Sequence, residues 1–453
     1  MPIQGFTTLE LTDVRTGKTE RVSKHNFITN GVAEYYRPLG SWISAQELLT
    51  GARITDMFGS VLLFDSAIEG GPETFLPGTE NNMLGGADYN VTNTDGRAYI
   101  GSWNKNETLI DTKNNVATFV YDFTTDQCNG VIGSVCCAPQ GSAGGVVFGI
   151  DTAMRDARPT WICNPRYTSC TLLPDAYDTT LPEYVVGVDF TANTFTTVTA
   201  AAPFEIKTYR TSFTQTSLFH AASAGYGVLQ AGTAFTLPDG VVPLERGSEL
   251  DAAGILHLFG RTKADAWSDP FYYYEVDAKT GAVNKALTLA KPQEYGSSGT
   301  RLCWKGNYIY LNYSFTPANF YKIEIANPTN IVNLGSAPTG VNSPDPVLKY
   351  AGRIYYGYSD NGVIRVRTVL NPDTNTLSGS YFCFYYGGNN SINAPAFAMG
   401  GHPLYVKDNC NVKPSLLSAL LLFLSTINNL ATPVQKTSDK TMKITYTIQE
   451  TDE

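Results

Sequence analysis

Both ends of the chain alternate apolar and polar residues with a period of two, and a terminal strand stays ordered only where a neighbour pairs with it. Over residues 441–448, Met442, Ile444, Tyr446 and Ile448 alternate with Lys443, Thr445 and Thr447, the pattern of a half-buried strand. Residues 8–14 alternate through Leu9 and Leu11, turn at Arg15-Thr16-Gly17-Lys18, and continue through Val22 to Asn26, Ile28 and Asn30. The simplest partner for the last strand is the first hairpin. The pattern therefore predicts one terminal β-rich module, residues 1–155 with 411–453, from which residues 156–410 are displayed. Its anchoring and assembly residues are expected to be Leu9, Leu11, Asn26, Asn30, Asn428, Asn429, Met442, Ile444 and Tyr446. Residues 415–430, with LLSALLLFLSTINNL inside them, read as a short apolar helix packed on the terminal sheet. The run 416–424 is too short to cross a bilayer, which takes about 20 residues.

Composition favours an all-β fold. Only 16% of the 453 residues are charged, against 41 Gly, 24 Pro and 27 Tyr, and no long window is dominated by strong helix formers. The net charge of −9 comes with no clustered Lys/Arg face, which argues against a nucleic-acid partner because phosphate neutralisation needs one. The start of the chain lacks the apolar segment of a secretory signal, so folding in the cytoplasm is expected.

The interior repeats a pair of signals: a glycine leads an aromatic strand, and a second strand ends in an Asp/Asn-rich turn. Instances are Gly254 to Phe259 with Tyr272 to Gly281, Gly306 to Leu311 with Phe320 to Pro328, and Gly352 to Gly357 with Val363 to Asp373. A partial copy runs from Tyr184 to Asp189, with its turn at 191–193. The leading glycines are 52 and 46 residues apart, close to the roughly 40–50 residues of a four-stranded propeller blade. A strand pair alone cannot bury its aromatic face, whereas stacked blades can. Residues 156–410 are thus expected to form a β-propeller-like domain of about five or six blades. The alternative is a set of β-sandwiches.

Catalytic motifs are weak, and the protein is read as a non-enzyme without a cofactor. Gly-Ser-Ser-Gly at 296–299 lacks the glycine that completes a nucleophile elbow, and the glycine-rich run 141–145 lacks the Lys-Ser/Thr of a phosphate loop. Asp175 with Asp178, or Asp265 with Asp269, are carboxylate pairs of the kind a glycosidase uses, leaving a glycan depolymerase as an alternative. The eight cysteines contain no Cys-x-x-Cys pair and the four histidines are scattered singly, so no metal site is expected and buried free thiols are. Cys163 and Cys170 flank a polar loop where a bridge could form in an oxidising medium.

Binding residues are sought in aromatic, Asn-rich connections. Residues 265–272 carry Trp267, Phe271 and Tyr272 beside two aspartates, a composition suited to sugar rings. The same aromatics would also serve to seal adjacent blades. Asn389 and Asn390, in a second Gly/Asn-rich stretch, complete the ligand-binding candidates, with turn formation as the plain reading.

Three segments carry a family resemblance: ELTDVRTGKTERVSKHNFITN, GSWNKNETLIDTKNNVATFVYDFTTDQCNGVIGSV and STINNLATPVQKTSDKTMKITYTI. They resemble tail-fibre or tail-associated virion proteins of phages and prophages of Gram-positive gut bacteria. Cys128, Cys136 and Cys137 depart from that pattern. The resemblance implies a virion location, other virion proteins as partners and a homo-oligomer such as the trimer common among fibres, while host-surface glycan binding is the expectation from the aromatic and Asn-rich connections. No heptad repeat is present to drive a coiled coil. A head fibre, collar or baseplate decoration is the architectural alternative.

Overall fold

A computed structural model describes residues 3–32, 54–74, 77–78, 80–139, 161–163, 169–171, 183–189, 191–192, 194–211, 217, 219, 227–244, 247–262, 270–291, 301–312, 319–336, 345–360, 363–385, 416–418 and 424–451. They form an all-β protein of several separate sheets, none of them closed. The strands pair antiparallel, except that Trp161–Cys163 runs parallel to Thr376–Tyr385.

The first and last strands lie side by side. Ile3–Asp13 and Lys440–Glu450 are each eleven residues long, and they pair from Ile3 opposite Glu450 to Asp13 opposite Lys440. They occupy the middle of a six-stranded sheet, which we call anchor sheet I. Thr19–His25 flanks Ile3–Asp13 at one edge, Val116–Phe123 flanks Lys440–Glu450, and Ser102–Trp103 and Leu109–Asp111 both pair with Val116–Phe123. Anchor sheet II has the order Phe27–Ile28, Thr426–Lys436, Gly130–Ala138, Ser60–Phe64, Met83–Asp88. The period of two sends Leu9, Leu11, Met442, Ile444, Tyr446 and Ile448 into the core together with Phe119 and Tyr121. Side-chain bonds join the sheets: Tyr446 Oη lies in hydrogen-bond contact with Thr426 Oγ1, and Asn428 Nδ2 donates to Asn26 Oδ1 at 2.7 Å.

The expected helix at 415–430 is corrected where the structure describes it: Leu416–Ser418 and Thr426–Lys436 are strands. Residues 426 to 429 pair with Gly130–Ala138, Thr426 opposite Cys137 and Asn429 opposite Ser134. Helical propensity is a weak prior, and a waiting sheet edge satisfies the backbone of an apolar run while burying it. The described helix Ile54–Phe58 packs instead against Gly130–Ala138, with Ile54, Met57 and Phe58 buried.

Between the ends, the described residues form four antiparallel meanders that follow one another along the chain. The first is Glu183–Asp189, Thr194–Thr199, Phe204–Thr211 and Gly227–Phe235. The second joins Val241–Pro243 and Glu249–Leu250, both on Ile255–Thr262, to Phe271–Asp277 and Val283–Leu289. The third is Arg301–Lys305, Tyr308–Asn312, Asn319–Glu324 and Asn327–Ser336. The fourth is Asp345–Tyr350, Arg353–Asp360, Val363–Asn371 and Thr376–Tyr385.

Successive meanders share apolar seams. Val186, Val198 and Ile206 of the first meet Leu256, Leu258, Tyr274 and Val276 of the second. Phe259, Tyr273 and Leu289 then meet Leu302, Ile309, Leu311 and Ile323 of the third. Tyr310 and Phe320 meet Ile354, Tyr356 and Leu370 of the fourth. Each meander is buried by its neighbours in sequence. Gly254, Gly306 and Gly352 stand at the turn between the opening strands of the second, third and fourth meanders, with φ of 82°, 60° and 77°. A Cβ there would meet no atom within 4 Å, so backbone conformation is what selects glycine.

Candidate functional site

The predicted residues fall into two places. In the anchor, Leu9, Leu11, Met442, Ile444 and Tyr446 are core residues of the chain itself, so they hold the module together and present no surface. Asn26 accepts from Thr7 Oγ1 at 2.8 Å as well as from Asn428. Asn429 Oδ1 accepts from the Ile68 amide while its Nδ2 donates to Ile68 O, both at 2.9 Å. Asn30 donates its backbone N–H to Pro72 O at 2.8 Å. These amides stitch distant segments.

Of the ligand-binding candidates, Trp267, Asn389 and Asn390 lie outside the described residues, as do Asp175, Asp178, Asp265, Asp269, and the runs 141–145 and 296–299. Phe271 packs against the seam of the second and third meanders and Tyr272 against that of the first and second. Neighbours in a strand point to opposite faces. The two rings therefore seal different seams and form no common platform.

The second-to-third seam holds a polar cluster that residue spacing left unassembled. Register places Glu249, His257, Glu275 and Lys285 in one row across four strands, with Tyr273 two residues from Glu275 on the same face. His257 Nε2 lies 3.1 Å from Asp251 Oδ2 and Nδ1 lies 2.6 Å from Tyr273 Oη. Tyr273 Oη is 3.1 Å from Glu275 Oε1, which also accepts from Lys285 Nζ at 2.9 Å. The imidazole stacks on Trp304 with centroids 3.5 Å apart and planes 10° apart. Lys349 Nζ, 5.1 Å from the Trp304 ring centroid, pairs with Glu249. Three meanders thus contribute to one site.

Proton counting sets what this cluster can do. With His257 neutral, one N–H and one O–H serve three contacts in the row Asp251, His257, Tyr273, Glu275, and either tautomer leaves one contact without a proton. An imidazolium would supply the third. Burial, the main influence, pushes the His257 pKa below the ordinary imidazole value, opposed by its hydrogen bond to Asp251. Burial likewise holds Tyr273 protonated. The side chains of Asp251 and Glu275 are 22% and 21% exposed, against 6% for His257, so solvent reaches the carboxylates more than the ring. The cluster is a run of hydrogen bonds within a seam, capped by the stacking of His257 on Trp304.

Cys128, Cys136, Cys137 and Cys303 are free and buried, as expected. Burial pushes their thiols up, to about 12 for Cys128 and Cys136 and about 11 for Cys303, which keeps them protonated and unreactive. The side chains of Cys163 and Cys170 lie outside the described residues. Among the described residues no group of His, Cys, Asp and Glu could hold a metal ion, and no helix is long and apolar enough to cross a membrane.

The sequence signal for the cluster was partial. His257 and Phe259, like Tyr273 and Glu275, share a face by their spacing of two, but only strand register sets His257 opposite Glu275. No protein-family model matches this chain, and no curated protein matches it.

Proposed function

We propose that this protein is a non-catalytic structural component of a phage particle, anchored by its paired termini and displaying a stack of β-meanders toward the host surface. The observation that carries the reading is the eleven-residue pairing of the first strand with the last. It returns both ends of the chain to one module and leaves the intervening meanders to project as an insertion. The three segments that resemble tail-associated virion proteins supply the particle.

For the displayed region we propose a propeller-like arrangement. Opening strands of neighbouring meanders approach one another, as do closing strands: Glu183–Asp189 with Glu249–Leu250, Arg301–Lys305 with Asp345–Tyr350, Val283–Leu289 with Asn327–Ser336, and the last with Thr376–Tyr385. Sheets stacked face to face with common inner and outer edges are the local geometry of blades about an axis. Many copies on one particle would convert weak glycan affinity into firm attachment through avidity. An architectural role in a head fibre, collar or baseplate is the second reading. It is favoured by Phe271 and Tyr272, whose rings are used in seams.

Immunogold labelling of purified particles, with antibody raised against residues 181–410, tests the proposal. Gold at the tips of tail appendages is expected for the adhesion role, with glycan-array binding to follow. Gold on the head or collar selects the architectural role, and unlabelled particles overturn the phage assignment.

A further inference from the structure

Among the described residues the Thr19–His25 strand is one edge of anchor sheet I. Its residues are exposed on both faces except Val22, which is half-buried. One edge pairs with Ile3–Asp13, from Thr12 opposite Thr19 to Phe6 opposite His25; the other edge pairs with no strand among the described residues, while Thr426–Lys436 lies against the strand near Lys24, where Asn428 Nδ2 donates to Lys24 O at 3.4 Å. Edges of this kind carry unpaired backbone groups and are usually blunted by charge that repels a second copy. Here the charges do the reverse. In Thr19-Glu20-Arg21-Val22-Ser23-Lys24-His25 the acid and the amine lie two residues either side of Val22.

We propose that this edge is a homodimer seam, in which the Thr19–His25 strands of two copies pair antiparallel about a twofold axis at Val22 and join two six-stranded sheets into one. In that register Glu20 stands opposite the partner's Lys24 and Lys24 opposite the partner's Glu20, while Arg21 meets a serine and Val22 meets itself. Directly opposite residues of an antiparallel pair share one face and one bonding orientation, so the axis passes through a residue. Shifting it to Arg21 sets two arginines face to face, and an axis at Ser23 forms no opposite-charge pair. Like charges directly opposite destabilise a strand pair and opposite charges support it, so the charge pattern selects one register.

Within one copy Glu20 and Arg21 are only loosely engaged. Glu20 has a 3.5 Å contact with Lys440, and Arg21 a 3.6 Å contact with Glu10. Lys24 donates to Asn429 O at 2.6 Å, which leaves two of its three N–H groups for a carboxylate. The contact is isologous, each copy giving and receiving the same pair, and it closes at two copies rather than three.

Charge reversal in the full-length protein, followed by sedimentation equilibrium, tests this seam independently of where the protein sits on any particle. Wild type is expected to show a monomer–dimer equilibrium. Glu20→Lys and Lys24→Glu each turn two opposite-charge pairs into like-charge pairs, and each should weaken the dimer by about tenfold or more. Mixing the two variants restores both pairs across a heterodimer, and the double variant restores them within a homodimer; both should return to the wild-type constant. A wild type that stays monomeric at its highest soluble concentration, a trimer, or single variants that dimerise as wild type does would each overturn the proposal. Both residues are exposed, and unchanged circular dichroism of each variant keeps loss of fold from being read as loss of pairing.

Discussion

The anchor and the meanders bury similar residues by opposite routes. In the anchor, strands from the two ends of the chain and from residues 60–138 interleave, so each sheet is built of segments hundreds of residues apart. In the meanders every strand of a sheet follows the one before it, apart from the added Trp161–Cys163, and each seam joins consecutive sheets. Long-range pairing must overcome loop-closure entropy before it gains any contact, whereas local pairing gains contacts as it grows. The anchor accordingly depends on single cross-chain bonds. Lys436, wholly buried, donates to Thr124 O at 2.9 Å, Thr125 O at 3.3 Å and Asn129 Oδ1 at 2.8 Å, satisfying its three N–H groups on a loop three hundred residues away.

The contrast is broken most severely by deleting residues 437–453. This removes a central strand of anchor sheet I, and we expect calorimetry to lose the anchor's unfolding transition while the meander transition persists. Loss of both together would show that the two regions unfold as one unit. Next in size is a matched pair of cavities at wholly buried isoleucines, Ile444 in the anchor and Ile323 in the second-to-third seam. Each Ile→Ala change should cost about 2–5 kcal/mol. Separate transitions would each report only their own substitution, since distant sites add independently.

A smaller effect separates the seam cluster by pH. The folded pKa of His257 lies below its ordinary value, so the unfolded chain binds the proton more readily. Its contribution to stability is fully present above about pH 6.5 and is lost as pH falls from there through the lowered folded value. His257→Gln should flatten that slope in the meander transition and leave the anchor transition unaltered, as read from urea midpoints at successive pH values.

The smallest effect is one the two regions share. Asp13 in the anchor and Asp277 in the second meander make the same turn: each carboxylate accepts backbone N–H bonds from residues two and three ahead, at 2.8 to 2.9 Å. Each is followed four residues on by a glycine at positive φ, Gly17 and Gly281. The backbone bond from Thr16 leads in lowering the pKa of Asp13, and that from Thr280 leads for Asp277. A lowered carboxylate pKa contributes stability above about pH 4 that is lost as pH falls through the folded value. Asp13→Asn and Asp277→Asn should each reduce acid sensitivity below pH 4 in their own transition, by similar amounts.

Much of the fold was legible because its signals are local. The period of two identified the Ile3–Asp13 and Lys440–Glu450 strands and their inward residues, and the three glycines marked turns whose φ only glycine adopts freely. The misread segment at 415–430 shows the limit: an apolar run without alternation does not say whether helix or strand will bury it, and a sheet edge elsewhere decided for strand. Phe271 and Tyr272 stand adjacent in sequence yet face different seams, so composition could not tell a binding platform from a seal.

By itself, the sequence determined the class of structure, several of its turns, and which face of each terminal strand is buried, because steric and solvent preferences act over a few residues. Tertiary structure alone decided that Tyr446 meets Thr426, that His257 stands between Asp251 and Tyr273 against Trp304, and that Thr19–His25 is left at an edge. Those outcomes depend on strand order and register, which are fixed by the summed burial of whole faces and carried by no residue alone.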